Sequence, residues 1–192
     1  MKLIAIIPAR STSKRLPNKN FRKFYGRRMI EWVLDEVKKS EIFDKIIVST
    51  DTAFIYDGVE VRKRSGDVAE YDMTVDDVCL DLLNKGNDWS YVCVIYPTAY
   101  VITWDYICQS FALMIEKNKD FYYSHNMLNG SYNLDNGGFY WCKVASFLKE
   151  KTVMGENQGQ VDIPMVDINT LQDFCEAKLH ASTMERFKCQ NT

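Results

Sequence analysis

A chain of 192 residues, 46% hydrophobic and 26% charged, is long enough to bury one substantial core and sits within the single-domain range. Its formal net charge of −2 excludes a whole-face electrostatic footprint for DNA or RNA, so any anion site must be local. The six cysteines lie far apart without a C-x-x-C pair, which argues against a disulfide framework or a cysteine metal site. The N-terminal apolar run is too short for a signal sequence or a membrane span, so a single soluble, cytoplasmic domain with no membrane partner is expected.

Residues 3–7 are a continuous apolar run closed by Pro8, the pattern of a strand buried on both faces of a parallel sheet. Met29, Ile30, Val33, Leu34 and Val37 recur at helical spacing with Glu31, Asp35, Glu36 and Lys38 opposite them. Residues 45–50 (KIIVST) read as a second buried strand, which completes a right-handed βαβ unit. Val59 and Val61 suggest a short further strand. A helix carrying Val75, Val78, Cys79, Leu82 and Leu83 opens near Thr74, and residues 91–96 (YVCVIY) form a third buried strand stopped by Pro97.

Thr103 is expected to cap a helix with Trp104, Ile107, Cys108, Phe111, Met114 and Ile115 on its apolar face, followed by a strand at 121–124. Residues 126–138 are turn-rich, punctuated by Asn129-Gly130 and Asn136-Gly137, before a strand at 138–142. Residues 155–160 read as a polar loop and 161–168 as a last strand. Thr170 starts a final helix carrying Leu171, Phe174, Cys175 and Leu179. This alternation predicts a doubly wound, mostly parallel, Rossmann-like α/β sheet, whose ligands bind beyond the carboxyl ends of the strands.

The segment after the first strand places Arg10, Lys14, Arg15 and Lys19 in one loop, where α/β proteins bind phosphates. Ser11, Thr12 and Ser13 are small enough for their amides to line an anion nest, and Pro17 stiffens the exit. With no glycine, the loop is neither a Walker A nor a dinucleotide fingerprint. Composition alone leaves a solvated basic loop as an equal reading.

The motif Ile-Pro-Ala-Arg-x-x-Ser-Lys-x-x-Pro-x-Lys-Asn, from Ile7 to Asn20, resembles the signature of the CMP-sialic acid synthetase (acylneuraminate cytidylyltransferase) family. Ser49-Thr50-Asp51 is similar to that family's Ser-Thr-Asp strand end, Arg64 to the arginine of its Arg-Pro segment, and Val166-Asp-Ile-Asn-Thr170 to its Asp-Ile-Asp-Thr. Tyr96-Pro-Thr-Ala99 and Gly138-Phe-Tyr-Trp141 look more like the pseudaminic acid branch than the sialic acid branch, where a glutamine usually stands at the place of Tyr96.

The resemblance implies a nucleotide-diphospho-sugar transferase-like fold and transfer of CMP from CTP to the anomeric hydroxyl of a nine-carbon acidic 2-keto sugar, with release of pyrophosphate. It implies that Arg10, Lys14 and Lys19 stabilise charge on phosphorus, and that Ala9, Arg10, Ser11, Ser13, Lys14, Lys19, Asn20, Arg64 and Thr74 bind nucleotide. Tyr96, Thr98 and Tyr140 are then sugar-site candidates, while Asp167 and Asn169 occupy the places of the family's paired, Mg²⁺-binding aspartates. Asparagine at 169 brings no charge, and Ser11-Thr12 replaces a usual Gly-Gly, which would strain Thr12 if its φ were positive. The stretch 51–64 lacks a usual long helix, and 124–134 is shorter than the element family members use for dimerisation, so a homodimer stays an open expectation. Two alternatives remain: a degenerate relative that binds nucleotide with little or no turnover, and an RNA-binding module, which the acidic balance disfavours.

Overall fold

The computed structural model describes residues 1–64, 73–84, 88–128 and 131–188, with the side chains of 127, 128 and 131–134 left out of the description. The Asn129-Gly130 turn and Cys189 lie outside the described residues. In chain order the strands are β1 (Leu3–Pro8), β2 (Lys23–Phe24), β3 (Arg27–Arg28), β4 (Lys45–Thr50), β5 (Glu60–Lys63), β6 (Tyr91–Ile95), β7 (Phe121–Leu128), β8 (Ser131–Lys143) and β9 (Gln158–Asp162). The helices are α1 (Met29–Lys39), α2 (Val75–Leu83), α3 (Trp104–Glu116), α4 (Val144–Glu150), α5 (Leu171–Ala181) and α6 (Glu185–Lys188).

Seven strands form one sheet in the order β5-β4-β1-β6-β8-β7-β9. β8 alone runs against the others, pairing antiparallel with both β6 and β7. The doubly wound, mostly parallel expectation is therefore met. β1 is buried along its whole length, as its unbroken apolar run requires, and its side chains alternate between two cores. Leu3, Ala5 and Ile7 join the core that also takes α1, α3, α5 and α6, whereas Ile4 and Ile6 face α2 and α4. The chain leaves β1 toward β4 on one side and returns as β6 on the other, so a topological switch point lies between the carboxyl ends of β1 and β6.

Several local readings are corrected. The turn-rich tract 126–138 lies mostly inside the β7–β8 pairing, where Asn126 faces Leu134 in the register and His125 faces Asp135. The pairing shifts register between Tyr123 and His125; beside this bulge the side chains of Ser124 and Asn126 are linked through Asn136, while buried His125 Nδ1 has no hydrogen-bond partner among the described residues. Ser124 Oγ donates to Asn136 Oδ1 at 2.7 Å, and Asn136 Nδ2 donates to Asn126 Oδ1 at 3.0 Å and to the Ile163 carbonyl at 2.8 Å.

The expected strand over 161–168 ends at Asp162: the Ile163 amide still reaches the His125 carbonyl, but from the Ile163 carbonyl onward the backbone groups bond to side chains instead of a ladder. Asn126 brackets Met165, donating to its carbonyl at 2.8 Å and accepting from its amide at 3.0 Å, and the Val166 amide donates to the Tyr100 hydroxyl at 3.3 Å. Residues 158–160, read as loop, belong to β9.

In α5 the buried face is Phe174, Ala177 and Ala181, so Leu171 and Leu179 point outward at 55% and 75% exposure. Small residues let the helix lie close to the core, a choice that hydrophobicity alone misassigned. Trp104 and Ile115 on α3 are likewise exposed, and the Thr103 hydroxyl bonds Asp105 rather than capping the helix. α4 had no counterpart in the sequence reading.

Candidate active site

The basic loop begins where β1 ends. Ala9 is fully buried and its amide donates to the Ser49 carbonyl at 2.8 Å, so it continues the sheet and does not face a ligand. The Ser11 amide donates to Asp51 Oδ1 at 2.7 Å and the Ser11 hydroxyl to Asp51 Oδ2 at 3.1 Å. This corrects the anion-nest expectation at Ser11, whose amide anchors the loop to the end of β4. Burial pushes the Asp51 carboxyl upward, but the Ser11 amide, its own amide and the Ser11 and Thr12 hydroxyls outweigh that and hold it below the ordinary carboxylate value.

Neither Ser11 nor Thr12 has positive φ, so the strain expected from replacing Gly-Gly does not arise. The left-handed position falls on Asn18 instead, at φ 57°, a residue type that tolerates it. The Asn18 amide closes the loop onto the Ser11 carbonyl at 3.1 Å. Buried Asn20 donates to the Arg10 carbonyl at 2.8 Å, pinning the loop's entrance to its exit.

Three cavities meet at this loop. The first, of about 1000 Å³, is bordered by Arg10, Ser11, Ser13, Lys14, Lys19 and Asn169, among others. The second, of about 350 Å³, lies between Arg10, Asn20, Arg64, Thr74, Val78 and Tyr96. The third, of about 190 Å³, is enclosed by Lys19, Tyr96, Thr98, Asp135, Gly137, Tyr140, Asp167 and Asn169. Lys19 borders all three. Apart from Ala9, each candidate site residue from the sequence therefore borders at least one cavity.

Two of those residues are used otherwise than expected. Thr74 lines the second cavity, but its hydroxyl is committed to the cap of α2, donating to Asp77 Oδ2 at 2.8 Å and accepting from the Asp77 amide at 3.2 Å. Asn169 was placed with Asp167 as a metal ligand. Its carbonyl oxygen instead accepts from Arg15 at 2.8 Å and from Lys19 at 3.4 Å, while its amide donates to Asp167 Oδ2 at 2.6 Å. A neutral residue thus links the basic loop to the carboxylate.

Lys19 also donates to the Ile168 carbonyl at 2.6 Å. Burial lowers its pKa below the usual 10.5, with Asp167 opposing and Arg15 and Arg10 reinforcing that shift. Arg64 donates through Nε to Ser49 Oγ at 2.8 Å and through a terminal nitrogen to the Ser49 carbonyl at 3.0 Å, which fixes its guanidinium at the end of β4.

Sequence reasoning missed Asp135. Its two oxygens each lie 2.6 Å from the Tyr140 hydroxyl, and Oδ1 accepts from the Gly137 amide at 3.0 Å. Burial, together with neighbouring negative charge, raises the Tyr96 and Tyr140 phenols well above their ordinary values, so both remain O–H donors. Gly137, at φ 63°, passes close to Asp167; a Cβ there would sit 3.5 Å from Asp167 Oδ1. The Asn136-Gly137 pair was legible only as a turn signal. Among the other aromatics, Trp141 and Tyr122 are core residues at 0% and 1% exposure and do not line the cavities.

A basic loop and a neighbouring acid-bearing cavity at the switch point of such a sheet define a nucleotidyltransferase of the nucleotide-sugar type. The chain belongs to the cytidylyltransferase family, whose model matches residues 4–133. It is 25% identical to the pseudaminic acid cytidylyltransferase of Campylobacter jejuni subsp. jejuni serotype O:2, over 93% of this chain and 96% of that one. Its fold is similar to that of a CMP:2-keto-3-deoxy-manno-octonic acid synthetase solved in complex with CTP, at TM-score 0.73 and 13% identity over 95% of this chain and 99% of that one. A manganese complex of Rv0371c from Mycobacterium tuberculosis H37Rv is also similar, at TM-score 0.62 and 10% identity over 93% of this chain and 99% of that one. Among the described residues no helix is long and apolar enough to cross a membrane.

Proposed function

We propose that the chain, acting as one domain, transfers CMP from CTP to the anomeric hydroxyl of a nine-carbon acidic 2-keto sugar of the pseudaminic or sialic type. The observation that carries this reading is the meeting of the three cavities at Lys19. The largest, walled by the basic loop, takes the triphosphate; the second takes the nucleoside; the third takes the sugar. The likeness to a pseudaminic acid cytidylyltransferase supports the sugar class.

In the reaction the hydroxyl oxygen forms a bond to the α-phosphorus as the bond to the β-phosphate oxygen breaks, and pyrophosphate leaves. Arg10, Lys14 and Lys19 stabilise the charge that builds on the phosphoryl oxygens, each preorganised donor contributing roughly 3–4 kcal/mol to the transition state. Ser11, Ser13 and Asn20 shape the loop around the phosphates, and Arg64 orients the nucleoside. Thr74 contributes to that second cavity through its wall and not through its capped hydroxyl.

Beside the Lys19 ammonium the third cavity offers hard oxygen donors, the Asp135 and Asp167 carboxylates with hydroxyl and amide oxygens, and the carboxylates fit a hard divalent cation such as Mg²⁺. Asp167 would hold it, with phosphate and water oxygens completing the shell, because the Asn169 oxygen is taken by Arg15 and Lys19. Bound there, the cation would neutralise phosphate charge. The degenerate alternative draws its motive from Asn169, the Ser11-Thr12 loop and the shortened segments, and the unstrained loop removes one of the three.

The test is to combine protein, CTP, Mg²⁺ and a panel of 2-keto acid sugars and follow pyrophosphate release. Turnover with at least one nine-carbon acidic sugar is expected, and silence with every member of the panel would defeat the reading.

A further inference from the structure

The third cavity contains a carboxylate that the proposed reaction has not yet used. Asp135 borders this cavity and neither of the other two, whereas Lys19 borders all three. The partners of Asp135 are both neutral donors, the Tyr140 hydroxyl and the Gly137 amide. A carboxylate offers about four acceptor positions, so capacity remains for donors arriving from the cavity. Its placement is firmly built. Gly138 packs so tightly on Ser124 that a Cβ would lie 2.3 Å from Ser124 Oγ, and Asn136, 1% exposed, joins the strand to residue 163.

A 2-keto acid sugar is itself polarised. Its carboxylate and its anomeric hydroxyl sit on the same carbon, and the remainder of the molecule carries hydroxyl and acylamino N–H donors. Within the proposed function, we infer that Asp135, braced by Tyr140, is the residue that orients and selects the acceptor sugar. Its charge repels the sugar carboxylate toward Lys19, and its free acceptor positions bind hydroxyl or acylamino donors at the other end of the sugar. That direction brings the anomeric hydroxyl to the side where Lys19 also borders the phosphate cavity. Asp167 also borders this cavity and acts on Lys19, and a cation held there would offset its charge, so the wrong orientation is the one that leaves the sugar carboxylate unpaired against Asp135.

The experiment compares wild type, Asp135→Asn and Tyr140→Phe with the best nine-carbon acceptor and with a shorter 2-keto acid sugar lacking the distal donors. CTP affinity is measured separately by calorimetry. For the long acceptor, Asp135→Asn is expected to raise KM about tenfold or more, as loss of a charged hydrogen-bond acceptor does, with Tyr140→Phe intermediate. For the short acceptor, which keeps the carboxylate but lacks the distal donors, the rise in KM should be several-fold smaller than for the long one, and CTP affinity should stay within about twofold throughout. A merely structural fault would weaken both acceptors and CTP together, and that result overturns the inference, as does wild-type KM in both variants. A wild-type protein that binds CTP yet neither binds nor couples any 2-keto acid sugar overturns the function reading, and this inference with it.

Discussion

The Ser11 amide and Asp51 Oδ1 lie 2.7 Å apart, joining the loop after β1 to the end of the adjacent strand β4. This contact replaces conformational permissiveness as the device that shapes the loop. A glycine pair would adopt the bend by lacking a Cβ, whereas Ser11 and Thr12 are held in it by hydrogen bonds to one carboxylate. Asp51→Ala is expected to raise the Kd for CTP roughly tenfold, the equivalent of about 1.4 kcal/mol, by loosening the phosphate loop. Because the folded-state pKa of Asp51 is depressed, its stabilising contribution holds above the ordinary carboxylate range and fades only as pH falls below about 3.8. Calorimetric titration and acid melts of the two proteins check both statements.

Lys19 should govern the alkaline limb of activity. Burial places its pKa below 10.5, so with rising pH it loses its charge before an exposed lysine would. The charged form costs stability at pH below the folded-state value, and that cost disappears as pH rises through it, the reverse of a paired lysine. The kcat/KM profile is therefore expected to fall on a limb below pH 10.5 that Lys19→Arg moves out of range, while Lys19→Met loses on the order of 100-fold or more in kcat. An unchanged alkaline limb in Lys19→Arg would assign it to another group.

Asn169→Asp tests the neutral link. Its amide donates to Asp167 Oδ2 at 2.6 Å, so an aspartate would set two carboxylates against each other when no cation is present. The variant is expected to melt lower than wild type in chelator and to gain more from added Mg²⁺ or Mn²⁺. Differential scanning calorimetry with and without the ion reads this directly, and equal ion-induced shifts in the two proteins would argue that the cation does not lie between these residues.

Asn136→Ala removes the centre of a buried polar cluster. It takes the acceptor from the Ser124 hydroxyl proton and the side-chain donor from the Ile163 carbonyl, and it releases its grip on Asn126. A loss of about 2–4 kcal/mol is expected, at about 1–3 kcal/mol for each buried group left unsatisfied. For a chain of this size that lowers Tm by roughly 5–15 °C. Thermal unfolding followed by circular dichroism measures it.

Gly138→Ala places a methyl 2.3 Å from Ser124 Oγ, an atom fixed in a fully buried side chain by bonds to Asn136 and to the Phe139 amide. Overpacking of this kind costs about 1–3 kcal/mol. The paired variant Gly138→Ala with Ser124→Ala relieves the contact, so its denaturant midpoint is expected to recover part of the loss.

The sequence by itself determined the sheet's backbone and the place of the basic loop. Unbroken apolar runs at β1, β4 and β6 can be buried only in the middle of a sheet covered on both faces, and the loop after β1 then falls at its carboxyl edge. Its motif also carried the family, because the residues that shape the loop are written contiguously from Pro8 to Asn20.

What lies in the second half was decided by tertiary structure. Asn126 and Asn136 read locally as turn formers, and only pairing across β7, β8 and the segment after β9 gives their side-chain amides buried partners. The same folding turned Asp135 into a cavity wall and bound Asn169 between Arg15 and Asp167, contacts between residues 154 and 2 positions apart in the chain. Periodicity reports which side of an element is apolar. It does not report which polar side chains meet once those elements pack, and the cavity between Lys19, Asp135 and Asp167 is made of such meetings.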